Sequence, residues 1–147
     1  MPTPHTYDYA IVRVVPRVER GEFINAGVIV SCKSAGYLQA RIELDEARLL
    51  ALAPAVDLDA IRATLATIPV ICAGGDAAGA LGHLSTRERF DWLVAPRSTS
   101  IQTSPVHTGR CDSPELQLEH LMRTMVQVPD RPSPHRAAPG APPPKSG

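Results

Sequence analysis

The chain opens on a run of hydrophobic positions broken by single polar ones. Residues 7–15 read Tyr-Asp-Tyr-Ala-Ile-Val-Arg-Val-Val, dense in the aromatic and β-branched types that fit an extended, half-buried backbone. Pro16 stops that strand, because it has no N–H to give a ladder. Charges and Gly21 over 18–21 make a turn, and a second strand runs over 23–32, followed by another turn at 33–36. Over 37–44, Leu38, Ala40, Ile42 and Leu44 share one face while Tyr37, Gln39, Arg41 and Glu43 share the other. That is the pattern of a strand with one wet side. Three strands with short links predict an antiparallel meander.

The period then changes to that of helices. Asp45 can cap a short helix over 46–53 that must end before Pro54, and Asp57 can cap another carrying Leu58, Ile61, Leu65 and Ile68 at helical spacing. Pro69 is expected to end or kink it. The glycine- and alanine-rich run 73–82 predicts a flexible connection. Ser85-Thr-Arg-Glu88 has the form of a capping box, so a helix begins there and sends Phe90, Trp92 and Leu93 into the core. Residues 96–110 read as extended chain, with one or two strands near 99–108. A last helix starts with Ser113-Pro114 and carries an apolar stripe of Leu118, Leu121, Met122 and Met125. The fold class is therefore α+β: an antiparallel sheet opening with a three-strand meander, and helices packed mainly on one face.

Composition sets the outer bounds. Of 147 residues 44% are hydrophobic, enough for a core. The last stretch, 129–147, holds seven of the 15 prolines and predicts a disordered tail behind a single domain over 1–128. Fifteen basic residues balance 15 acidic ones, which argues against a nucleic-acid-coating or membrane-surface role. No apolar run approaches a membrane span, and Asp8, Arg13 and Glu19 interrupt the place of a signal peptide. Cys32, Cys72 and Cys111 are odd in number and scattered, as expected of a cytoplasmic chain, with Cys32 and Cys72 buried.

Candidate chemistry centres on the first hairpin. If Val15 faces Phe23, then Arg13 faces Asn25 and Ile11 faces Gly27. One sheet face would then carry Tyr7, Tyr9, Ile11, Arg13, Phe23, Asn25 and Ile29. An arginine and an asparagine on a largely apolar face must be hydrogen-bonded or be costly. Glu22, at the strand entrance, stands within reach of Arg13 or Arg20, so Arg13, Glu22 and Asn25 can also satisfy one another as an internal network. A second polar stretch, Arg97-Ser-Thr-Ser-Ile-Gln-Thr-Ser-Pro105, offers a guanidinium fork, hydroxyls and an amide suited to a phosphate or carboxylate, or simply a polar loop. Other chemistries lack their parts. His107 and Cys111 have no acidic orienter, the histidines have no metal-ligand spacing, and the glycines at 74–82 lack the lysine of a phosphate-binding loop. No cofactor, metal or catalytic residue is assigned.

The runs Tyr7-Asp-Tyr-Ala-Ile-Val-Arg-Val-Val-Pro16, Glu19-Arg-Gly-Glu-Phe-Ile-Asn-Ala-Gly-Val28, Trp92-Leu-Val-Ala-Pro-Arg-Ser98 and Ile101-Gln-Thr-Ser-Pro-Val106 with Gly109 resemble the signature of the bacterial domain-of-unknown-function family 3037. Arg13, Glu22, Asn25, Gly27, Arg97, Ser98 and Gln102 fall on its motif positions. Ala26 departs from the bulkier aliphatic residue of that signature. The resemblance implies no activity, but it points to a HipA-like serine/threonine kinase as an associated partner.

The leading expectation is a non-enzymatic binding or regulatory module. Its ligand- or partner-binding residues would be Arg13, Glu22, Asn25, Arg97, Ser98 and Gln102. The alternative is a small enzyme that clamps a phosphorylated or carboxylated substrate between Arg13 and Arg97, with Glu22 as acid or base. In either case the two polar stretches are expected to meet in one site, where Glu22 neutralises one arginine. Arg13 would belong to a semi-buried network, and Arg97 would remain free for a ligand.

Overall fold

A computed structural model describes residues 4–97 and 99–128. The tail 129–147 and Ser98 lie outside them. Three antiparallel strands, β1 (His5–Val14), β2 (Ile24–Cys32) and β3 (Tyr37–Ile42), form the expected meander. Its turns close on Gly21 and Gly36, which adopt left-handed φ values of 70° and 60° that side chains disfavour. Two short strands, β4 (Ile101–Thr103) and β5 (His107–Cys111), pair successively with the free edge of β1, giving a five-stranded sheet in which β1 is central.

Helices α1 (Glu46–Leu52), α2 (Leu58–Ala73) and α3 (Thr86–Val94) gather on one face. They bury Leu49, Ile61, Leu65, Ile68, Phe90 and Leu93 against Val12, Val14, Ile24, Ala26, Ile29 and Leu38. Asp45, Asp57 and Ser85 cap these helices as their sequence positions imply, Ser85 in a complete capping box with Glu88. The other face is covered by α4 (Pro114–Leu121) and the π turn that continues it, Met122–Val126. There Leu118, Leu121, Met122 and Val126 meet Tyr7, Ile11, Val28, Val30, Cys32 and Cys111.

Several local expectations change. Helix α2 does not end at Pro69 but continues to Ala73, because Ile68, Ile71 and Cys72 are buried and hold the final turn although one backbone bond is forfeited. The run after it is not loose: 3₁₀ turns over Asp76–His83 are closed by a Gly75 N–H to Gly82 carbonyl bond of 3.1 Å. Phe90 and Leu93 are core residues, but Trp92 is 43% exposed. In the π turn the wider pitch swings Met125 outward and brings Val126 in, which displaces the expected stripe by one place.

The register of the first hairpin is correct at Arg13–Asn25 but not beyond. A bulge makes Ala26 an extra residue, so Gly27 pairs with Val12 and Val28 with Ile11. One added residue reverses every side chain past it. Ile29 therefore joins the α1–α3 face, and Val28, Val30 and Cys32 line the opposite one.

Candidate functional site

The hairpin presents Arg13 on the face that α4 and the π turn cover. Alternation alone puts it there, since Val12 and Val14 on either side enter the other core. Its guanidinium lies 4.2 Å from the centre of the Phe23 ring, a cation–π distance. Asn25, its cross-strand neighbour, donates from Nδ2 to the Met125 carbonyl in the π turn at 2.9 Å. Two buried atoms here, Arg13 Nε and Asn25 Oδ1, have no hydrogen-bond partner among the described residues. Glu22 does not serve Arg13: it pairs with Arg20, where both side chains are well exposed. That pair lies at the rim of a 430 Å³ cleft bounded by Pro16, Arg17 and Leu52–Val56. Among the described residues no carboxylate forms an ion pair with Arg13.

Arg97 belongs to the other side of the sheet. From the end of α3 it reaches back, Nη1 to the Leu93 carbonyl at 2.9 Å and Nη2 to the Trp92 carbonyl at 2.5 Å, while its plane sits 4.4 Å over the Trp92 ring. A cation is thereby fixed on helix-terminal carbonyls that have no intrahelical donor. Beside it lies a narrow 110 Å³ cleft between α2, α3 and β4. The segment does fold back on the hairpin: Val15 N–H donates to the Ser100 carbonyl at 2.7 Å, and Gln102 stands next to Arg13 in the ladder. The Gln102 amide turns to the Thr99 carbonyl at 2.9 Å. Thus Arg13, Asn25 and Gln102 are brought together, Glu22 is drawn to Arg20, and Arg97 is separated from Arg13 by the sheet itself. The two arginines do not share one constellation: Arg97 is held by helix carbonyls instead of standing free, and its cleft is lined also by Gln102.

Apart from Tyr7 and Asp8, the motif runs lie within the stretch 9–126, which matches the model of a family described as a protein of unknown function, DUF3037. The chain belongs to that family. No curated protein and no solved structure matches it.

In this DUF3037 chain several motif positions have structural reasons. A Cβ on Gly27 would lie 2.6 Å from the Arg41 carbonyl oxygen, and one on Gly109 would lie 3.0 Å from the Tyr7 ring. Only glycine lets β3 and Tyr7 approach so closely. Other determinants escape sequence reading. Ser104 is buried between β4 and β5, where its N–H donates to the Ile11 carbonyl at 2.8 Å and its Oγ accepts the Ile11 N–H at 2.9 Å. Arg89, buried, bridges the Leu84 carbonyl at 2.5 Å and the Cys72 carbonyl at 3.3 Å, tying the 3₁₀ segment to α2. Its guanidinium lies 3.0 Å from where a Gly74 Cβ would be, and no local pattern signals that contact.

Electrostatics outside Arg13 are mostly self-contained. Partial burial of Asp8 pushes its carboxyl pKa up, but the Thr108 hydroxyl at 2.6 Å and the Arg87 guanidinium at 2.8 Å outweigh that and hold it below the ordinary value. Burial pushes the Cys72 thiol up to about 12, against a weaker pull from Arg89. Among the described residues no three His, Cys, Asp or Glu side chains are placed to share a metal ion, and no single helix is long and apolar enough to cross a membrane.

Proposed function

We propose that this DUF3037 chain is a non-enzymatic binding or regulatory module of the bacterial cytoplasm, and that it contacts a protein partner through the surface built on Arg13, Phe23 and Asn25. The observation that carries this reading is an arginine stacked on an aromatic ring that is itself 44% exposed, with no acidic residue among the described ones to neutralise it. Met125, whose carbonyl Asn25 holds, adds a second half-exposed apolar side chain. Arginine and aromatic residues with partly desolvated neighbours are the usual carriers of binding energy at protein interfaces. The enzyme alternative draws less support, since its two arginine clamps stand on opposite sides of the sheet and do not converge on one substrate. Three free, buried cysteines support a reducing compartment. By family resemblance the partner of choice is a HipA-like serine/threonine kinase.

The test is affinity capture from the native host with the wild-type chain, Arg13→Ala and Arg97→Ala. One protein held by the wild type, lost with Arg13→Ala and retained by a folded Arg97→Ala is the expected result. Equal capture by Arg13→Ala would overturn the placement of the surface.

A further inference from the structure

We infer that Arg13 is the seat of an oxyanion site, which takes a carboxylate or phosphate carried on an apolar-flanked segment of a partner protein; this rests on reading the chain as a binding module. Charge is the first argument. In the ladder Arg13 is flanked by Asn25 on β2 and Gln102 on β4, both neutral amides, so the sheet supplies no counter-charge from either side. Glu22, three residues before Asn25, is engaged by Arg20. Among the described residues no carboxylate forms an ion pair with the Arg13 cation.

Geometry is the second. The Phe23 ring fixes the guanidinium plane and shields one side of it from water. A planar fork held in this way can offer two parallel N–H groups to the two oxygens of a carboxylate or phosphate, which a lysine cannot do. The buried Nε–H and the buried Asn25 Oδ1 are an unused donor and an unused acceptor on cross-strand neighbours. Joined to one another when a ligand binds, they would leave the Nη groups for that ligand. Asn25 would then link the bound anion to the Met125 carbonyl that its amide already holds. Phe23 and Met125, 44% and 43% exposed, give the site apolar walls that a free ion cannot use but a peptide side chain can.

The experiment is a titration of the full chain, labelled with ¹⁵N, read at the arginine Nε–H signals and at the Phe23 amide. Acetate, inorganic phosphate and chloride are added at matched ionic strength. Saturable movement of the Arg13 signal is expected, half-complete at roughly 10 mM as befits one pair of charge-assisted bonds. Arg97, occupied by helix carbonyls, should stay still. Arg13→Lys, which keeps the charge and loses the fork, should weaken binding at least tenfold, and Phe23→Leu several-fold. Tighter acetate than phosphate assigns an acidic side chain as the source, and the reverse a phosphorylated one. Movement that is linear and matched by chloride, or undiminished in Arg13→Lys, overturns the site. Should Arg13→Lys fail to fold, undiminished binding by Phe23→Leu overturns it. A failed titration beside Arg13-dependent capture removes the anion and leaves the module; saturation with no captured partner supports the anion site alone.

Discussion

Ser104 does the work of a strand residue at a point where no strand is assigned. β4 ends at Thr103 and β5 begins at His107, and across that break its N–H and Oγ satisfy both backbone groups of Ile11. Ser104→Ala would leave the Ile11 N–H buried and unpaired. The expected loss is about 2 kcal/mol, read as a lower midpoint of urea unfolding at an unchanged slope. Asp8 makes a different kind of contribution, one that depends on pH. Its folded pKa lies below the unfolded value, so the unfolded chain takes up the proton first. The stability it supplies is therefore complete above about pH 4 and is lost as the pH falls through the lower, folded value. Asp8→Asn should be less stable than wild type near pH 7, and the gap should close on acidification. A gap that stays constant down to pH 2 would show that Asp8 contributes only packing.

At the scale of elements, the two faces of the sheet are held unequally. One carries three helices, whereas the other depends on the eight residues of α4 and one π turn. Short helices held by few buried contacts are the ones that open locally. Cys32 and Cys111 lie under α4 and the π turn, whereas Cys72 is on α2 itself and buried in the core of the opposite face. Loss of the Asn25–Met125 bond in Asn25→Ala should accelerate labelling of Cys32 and Cys111 by a thiol reagent about threefold to tenfold and leave Cys72 unchanged. Equal acceleration at all three thiols, counted by mass spectrometry, would mean that the layer does not open by itself. These elements were unevenly legible in the sequence. The alternation over β3 and the capping box of α3 are local patterns, and the folded chain holds both. The bulge at Ala26, the π turn and the continuity of α2 through Pro69 are settled by distant packing, so no window of the sequence contains them. Arg13 opposite Asn25 was legible for the same reason as β3, because two alternating strands joined by a short turn have few registers. The separation of Arg97 from Arg13 was not, because it depends on which face α3 occupies.

For the whole molecule the decisive feature is the position of β1. The strand made first within this chain is the central one, and its second edge is completed only by β4 and β5. Thr108 reaches Asp8, and Met125 reaches Asn25, across 100 residues each. A sheet closed by such distant partners has high contact order and folds slowly for its size. During synthesis, at about 5–20 residues per second, β1 waits roughly 5–20 s with one edge unpaired and one face uncovered. Throughout that interval Ile11, Val28 and Val30 face solvent, and an open strand edge beside an apolar face is a template for pairing with another chain. The same arrangement that keeps Arg13 between two neutral amides thus makes residues 101–126 the step at which the nascent chain ceases to be at risk of aggregation.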